Sequence, residues 1–418
     1  MRILIVSNLY PPVVIGGYEL ACARVTEGLR RRGHDVRVLT TWSHLPVAGD
    51  GPPLAARRLD LPWLLPERPA DPGAQQWLDH AAMCSCLPNT MALLDELRAT
   101  RPDVVYAWNL AGIGGAALVD LLNLSGAPWV WHLMDRAPAD IASGVPGGIG
   151  GLFGQRLGAL RGGRVLAMSH HLIEEIEAAT GDRIPGPVEI VPGWADAEDA
   201  LPHLPYRRGG VARFVTAGSV HAHKGIGLIL EASARLAAEG LRFVVDIYGA
   251  GAVSEFIGLA QAMQLQDRVR FHGPRSQQAL FALYRGYDAF LFPTHEREPF
   301  GFAPVEAAAC GTPPIMTATC GAAERLVGGV HCLKIPRTTD ALADAMRQVA
   351  TGAVDLARLG RAGQRLVAQD LSFRRCLDRI EAVLQDAAAG PGTPRIDDPS
   401  LAALVFLKHN LSLRLRFA

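Results

Sequence analysis

The run Asp288-Ala-Phe-Leu-Phe-Pro-Thr-His-Glu-Arg-Glu298-Pro-Phe-Gly-Phe-Ala-Pro304-Val-Glu306-Ala-Ala-Ala-Cys310-Gly-Thr-Pro313-Pro-Ile-Met316 decides how the rest of the chain is read. Ala289 to Phe292 is a short apolar run bounded by Asp288 and Pro293, the pattern of a buried strand. A polar loop follows. Pro304-Val-Glu-Ala-Ala-Ala then reads as a helix, with proline in its first turn and Gly311 past its end. Pro313-Pro-Ile-Met opens the next strand.

Glu298 lies in the loop and Glu306 in the helix that follows. Between them Phe300-Gly301-Phe302 leads into a helix start, where N–H groups lack internal partners and the dipole favours an anion. A carboxylate can accept two hydrogen bonds from vicinal hydroxyls. Two carboxylates flanking an anion-binding helix start suit a ligand with hydroxyls at both ends and phosphate between. A nucleotide-sugar is such a ligand. The plainer reading makes Glu298 a solvated loop carboxylate and Glu306 an early-helix residue favoured by the dipole. On pattern alone the two readings stand level.

Glu298-Pro-Phe-Gly, Pro304-x-Glu306-Ala and Cys310-Gly-Thr-Pro together resemble the signature of family 4 of the retaining glycosyltransferases, which have the GT-B fold. The resemblance implies that Glu298 contacts the transferred sugar and Glu306 the nucleotide ribose. It gives the amides of Phe300, Gly301 and Phe302 to the sugar and phosphate. It also implies an α/β chain of two doubly wound Rossmann-like domains facing across a cleft.

Composition is compatible with that. A chain of 418 residues is too long for one core and fits about two domains. Lys plus Arg number 41 and Asp plus Glu 41, so no global charge draws the protein to nucleic acid. The seven cysteines follow no spacing framework, which points to a reducing compartment. Cys84-Ser-Cys86 is read as packing or a solvated helix face. The start is too short for a signal peptide, and no run of about 18 apolar residues suggests a membrane span. The expected location is the cytoplasm, with room for peripheral contact at the inner face of the membrane.

In the first half, strands are expected at Arg2–Ser7, Asp35–Thr40, Val104–Trp108, Trp129–His132 and Arg164–Met168. A helix from Tyr18 to Arg32 joins the first two as a βαβ unit, so the sheet should be parallel. Ligands of such sheets bind at the carboxyl ends of the strands. Gly16-Gly17 occupies that edge at a helix start, where backbone N–H groups can approach a phosphate. A plain turn is the alternative. The first loop lacks G-x-G-x-x-G, which disfavours a nicotinamide site. Residues 43 to 73 read as a surface loop. His132 ends an apolar strand at the same edge; an isolated histidine is more often structural, but the position resembles the family's histidine near the transferred sugar. The glycine-rich stretch Ala142–Gly163, with Arg156, Arg161 and Arg164 nearby, reads as a flexible connection rather than an acceptor loop.

Residues 1–196 form the expected first domain, 197–210 a linker and 211–371 the second domain. Residues 372–418 are expected to return to the first domain as a crossover helix and tail. The second domain repeats the strand–helix alternation, with strands at Ala212–Ala217, Phe243–Tyr248 and Val269–His272. Lys224, expected at the start of a helix Lys224–Ala238, can neutralise a diphosphate. It matches the family's Lys-Gly. The family often has arginine where this chain has Ser219, which shifts weight to Lys224 or to Arg275. His221-x-His223 is a weak metal motif without a nearby third ligand, and the family needs no divalent ion. The tail Leu401–Ala418 is expected to dock on the body.

The resemblance thus implies a metal-independent retaining glycosyltransferase that takes a sugar from a nucleoside diphosphate, with no resident cofactor. Its catalytic group would be His132, Lys224 and Glu298. Donor binding would add Gly16, Gly17, Ser219, Lys224, Arg275, Phe300, Gly301, Phe302 and Glu306. The acceptor is left open among a glycan, a lipid and a small natural product, and oligomeric state is not legible. The competing readings are a nucleotide-sugar epimerase on the same fold and a catalytically silent sugar- or partner-binding protein.

Overall fold

The computed structural model describes residues 1–42, 55–62, 70–144, 157–196, 202–207, 210–295, 297–390, 396–398 and 400–414. Much of the loop read at 43–73, the glycine-rich stretch around Arg156, parts of the linker and of the spacer after Gly390, and the last four residues lie outside them.

The chain divides into two compact units, Met1–Val191 with Leu377–Ala418, and Pro192–Cys376. The first unit carries β1 (Arg2–Ser7), β2 (Asp35–Thr41), β3 (Ala56–Leu59), β4 (Val104–Asn109), β5 (Trp129–Leu133), β6 (Arg164–Ala167) and β7 (Val188–Ile190). They form one parallel sheet in the order β3-β2-β1-β4-β5-β6-β7. The second unit carries β8 (Ala212–Ala217), β9 (Phe243–Tyr248), β10 (Val269–Phe271), β11 (Ala289–Phe292), β12 (Pro314–Thr317) and β13 (Leu333–Ile335). Its parallel order is β10-β9-β8-β11-β12-β13.

Strands covered by helices on both faces are apolar throughout rather than alternating. β4, β5 and β11 are buried at every residue, with Asn109 and His132 the polar exceptions to the apolar runs. The first core joins Leu4, Val6, Val105, Ala107, Trp129 and Trp131; the second joins Phe214, Val245, Ile247, Leu291 and Ile315. Each large side chain so buried contributes about 1.5–3 kcal/mol.

In both sheets the strand order reverses beside the first strand of the unit. β1 is flanked by β2 and β4, and β8 by β9 and β11. Consecutive crossovers leave in opposite directions there, so the loops part and a crevice opens at the carboxyl edge. Gly16 and Gly17 follow β1. Ser219 and Lys224 follow β8, and Glu298 follows β11. The topology explains why residues 74 positions apart can meet.

Two elements differ from the sequence reading. Ala56–Leu59, placed in a surface loop, is the edge strand β3 paired with β2. Its arginines hid it, because they serve the edge: Arg57 bonds the Pro11 carbonyl, and Arg58 pairs with Asp95 at 3.0 Å and Glu96 at 3.2 Å. Lys224 is not in the helix, which spans Ile226–Ala238; it closes a 3-10 turn, Ala222–Lys224. Gly225 separates the two at φ +78°, where a Cβ would lie 2.2 Å from the Pro293 carbonyl oxygen. Only glycine allows the β8 loop to press this close to the end of β11.

The tail forms a helix, Leu401–Arg414, against the helices Leu87–Thr100 and Gly115–Ser125 of the first unit. Asp120 anchors it, accepting from His409 Nε2 and pairing with Lys408 Nζ, each at 2.7 Å. All seven cysteines are buried free thiols, Cys84 and Cys86 included.

Candidate active site

The second unit gathers the acidic signature and the lysine at its switch point. Lys224 Nζ is ion-paired with Glu298 Oε2, and Thr294 donates its hydroxyl to the same oxygen at 3.1 Å. The loop bearing Glu298 is fastened at its backbone. The Gly321 N–H donates to the Glu298 carbonyl at 3.2 Å, and the Ala322 N–H to that of Phe300 at 2.8 Å. Thus the turn after Cys320 supports the loop that carries Glu298.

Phe300 is almost wholly buried, and its ring is part of the core. Gly301 adopts φ +93°, and a Cβ there would lie 2.8 Å from the Phe292 ring. This conformation turns the chain into the helix Phe302–Ala309, whose first N–H groups have no intrahelical partner. The half-buried Phe302 packs edge-on against Trp194, ring centroids 5.6 Å apart. Glu306, one turn in, is buried and accepts from Gln277 Nε2 at 2.6 Å. Burial raises its pKa above the ordinary carboxylate range, against the pull of Gln277. One oxygen is thereby held in place.

Ser219 is exposed on the β8 loop. Arg275 is exposed and donates to its neighbour's carbonyl, Pro274 O, at 3.1 Å. Beside it His272 is held by the buried Asp246 through Nε2 at 2.6 Å and stacks on Tyr248 at 4.7 Å. Tyr287 donates to the other Asp246 oxygen at 2.9 Å. This network orders the β9 and β10 loop edge. Gly249 is indispensable there: a Cβ would lie 1.7 Å from the Gly218 carbonyl oxygen.

The first unit corrects two expectations. His132 is not at an open strand end but inside β5, with no exposed surface. Its Nδ1 is 2.7 Å from the Tyr106 hydroxyl, and Trp108 packs edge-on at 4.9 Å. Burial lowers its pKa to about 3, so the ring is neutral. The structure therefore does not present His132 to a ligand. Gly16 differs too, since its N–H donates to Glu19 Oε2 at 3.0 Å and the Ile15 N–H to Glu19 Oε1 at 3.0 Å. The buried Glu19 thus engages the Gly16 N–H that was expected to face a phosphate, leaving Gly17 as the first N–H of the helix Gly17–Arg31.

Asp135, given no role from sequence, sits at the same carboxyl edge, just past β5. It accepts from Asn109 Nδ2 at 2.8 Å and from the Ala137 N–H at 2.9 Å. Burial, reinforced by Asp140, lifts its pKa to about 6 despite those bonds. Perturbed carboxyls of this kind cluster at functional edges. Thr294 and Gln277, which hold the two signature acids, were also passed over; neither residue type nor spacing singles them out. Among the described residues no group of three or more His, Cys, Asp or Glu is arranged to hold a metal ion, and no helix is long and apolar enough to cross a membrane.

Two parallel-sheet α/β units, each with its polar loops at a switch point, define a two-domain Rossmann-like architecture. Residues 16–194 match the model described as "Glycosyl transferase 4-like domain", and residues 207–366 match "Glycosyl transferases group 1". The chain belongs to the GT-B glycosyltransferases, in the family-4-like group. A glycogen synthase of Mycobacterium tuberculosis is 27% identical over 94% of this chain and 97% of its own. The fold matches a glycosyltransferase of Rickettsia africae with TM-score 0.70, at 16% identity over 93% of this chain and 99% of that one. It also matches HepE of Anabaena in complex with UDP-glucose with TM-score 0.65, at 18% identity over 92% and 100%.

Proposed function

We propose that this protein transfers a sugar from a nucleoside-diphosphate donor to an acceptor hydroxyl, with retention of anomeric configuration and without a metal. The observation that carries the reading is the Lys224–Glu298 pair at the β8/β11 switch point, with Glu306 held one helical turn behind the amides of Phe300–Phe302. Lys224 and those amides would meet the charge gathering on the leaving diphosphate. Glu298 would hold the sugar and Glu306 the ribose. No glycosidase-type carboxylate pair is assigned, so retention is proposed through same-face internal return, a donor phosphate oxygen accepting the acceptor proton. The free thiols favour a reducing compartment, the cytoplasm.

A thermal-shift screen of nucleoside diphosphates and their sugars tests the donor reading, because a ligand that binds only the folded state raises Tm. UDP-sugars go first, since a protein of the same fold is solved with UDP-glucose. A clear upward shift with one base is expected; none with any base overturns the reading. The product anomer decides mechanism, and an inverted product removes the internal-return route. Donor incubated without acceptor separates transfer from epimerisation.

Glu306→Ala should raise the donor KM by roughly tenfold or more with kcat changed far less, because a ribose contact is made equally in ground and transition states. Steady-state kinetics with varied donor read this directly, and a fall confined to kcat would remove the ribose assignment.

A further inference from the structure

The donor reading leaves three imidazoles and an arginine around Lys224 without a task. His221 and His223 stack with ring centroids 5.6 Å apart, and His295 meets His223 edge-on at 5.2 Å. Backbone bonds tie their loops together. The His295 N–H donates to the His223 carbonyl at 3.0 Å, and Arg337 Nη2, from the loop after β13, to the Ala222 carbonyl at 3.3 Å. The Arg297 N–H donates to His295 Nδ1 at 2.8 Å, so the neutral ring carries its proton on Nε2 and can donate from there. As the described residues hold no metal-ligating group, coordination does not explain the cluster.

Its charge balance does. The groups acting on His223 are Lys224, His221, Glu298 and Arg337; those acting on His295 are Glu298, Lys224, His223 and Arg337. Among the described residues one carboxylate thus faces two fixed cations and a set of rings that can still gain charge. Ser219, His221 and His223 are exposed, so an anion can reach them.

We propose that His223 completes the grip on the donor diphosphate by taking up a proton as it binds, with His295 donating from Nε2 and Arg337 as the fixed charge beside them. The inference rests on the donor reading above. Both rings titrate below the ordinary histidine value, and burial is the largest cause for each. Lys224 lowers His223 further, while Glu298 partly offsets burial at His295. The free protein therefore holds them neutral at pH 7. Two phosphate charges nearby favour the protonated His223 ring, so binding takes up a proton and affinity rises as pH falls.

The probe is a nucleotide sugar rather than a free nucleoside diphosphate. Both of its phosphates are diesters and keep their charge from pH 6 to 8, so any pH dependence belongs to the protein. Calorimetric titration of the full chain should show affinity rising about tenfold between pH 8 and pH 6. His223→Gln should lose that rise, with an unchanged Tm showing it is folded. His331→Gln, outside the cluster, should keep the parent profile. A donor that binds with a flat profile, or a His223→Gln variant that keeps the slope, overturns this inference and leaves the donor reading standing. A protein that binds no nucleotide sugar at any pH overturns both.

Discussion

Lys224→Ala should lower kcat by about 10²–10³-fold while the donor KM moves little. The leaving diphosphate carries more charge in the transition state than in the bound donor, so a cation aimed at it acts on the chemical step. In the ligand-free protein that cation is engaged: Glu298 pairs with it, and Gly225 and the Pro293 carbonyl fix the turn on which it stands. Lys224→Arg keeps the charge but presents a planar fork instead of a point donor, so partial recovery is expected. Single-turnover rates with saturating donor separate this from slow product release. A variant within twofold of the parent would remove Lys224 from the chemistry.

Glu298→Gln tests the other half of the pair and should split binding from transfer. The amide keeps the shape and can still accept from Thr294. It gives up the carboxylate that would orient the sugar, and a transfer loss of about 10²-fold is expected. Nucleoside diphosphate affinity should hold or improve, because Lys224 no longer has a counter-ion to leave before it meets phosphate. Calorimetry with the diphosphate beside kinetics with the full donor reads both quantities. Weaker diphosphate binding without a loss in transfer would reverse the assignment.

The acidic signature could be read from the chain because its geometry is local. A strand, a glycine that must adopt φ +93° and an eight-residue helix place Glu298 and Glu306 with little help from elsewhere. The strand pattern was equally plain wherever a strand is buried on both faces. β3 was hidden because an edge strand tolerates the arginines that a central strand excludes. His132 misled for a related reason: a polar residue near a strand end looks like an edge residue until its neighbours are seen to cover it. Tyr106 and Trp108, more than twenty residues earlier, do the covering.

The partners of the site were illegible for a different cause. Gln277 reaches Glu306 from 29 residues away, and Arg337 approaches the β8 turn from 115. Such meetings depend on which strands become neighbours, and that order is fixed by the two switch points. Gly16 shows the converse. Its amide is spoken for by Glu19, three residues on, a capping arrangement that the spacing would have permitted a reader to expect.

The burial of every native thiol has a practical corollary for spectroscopy. Alkylating dyes need an accessible thiolate, and none of the seven positions offers one at neutral pH. Ser219→Cys would accordingly introduce a single reactive handle on the donor loop without first stripping the natural cysteines. Its rate of labelling, slowed by a correctly chosen nucleotide sugar, would turn the protein into its own reporter of ligand occupancy.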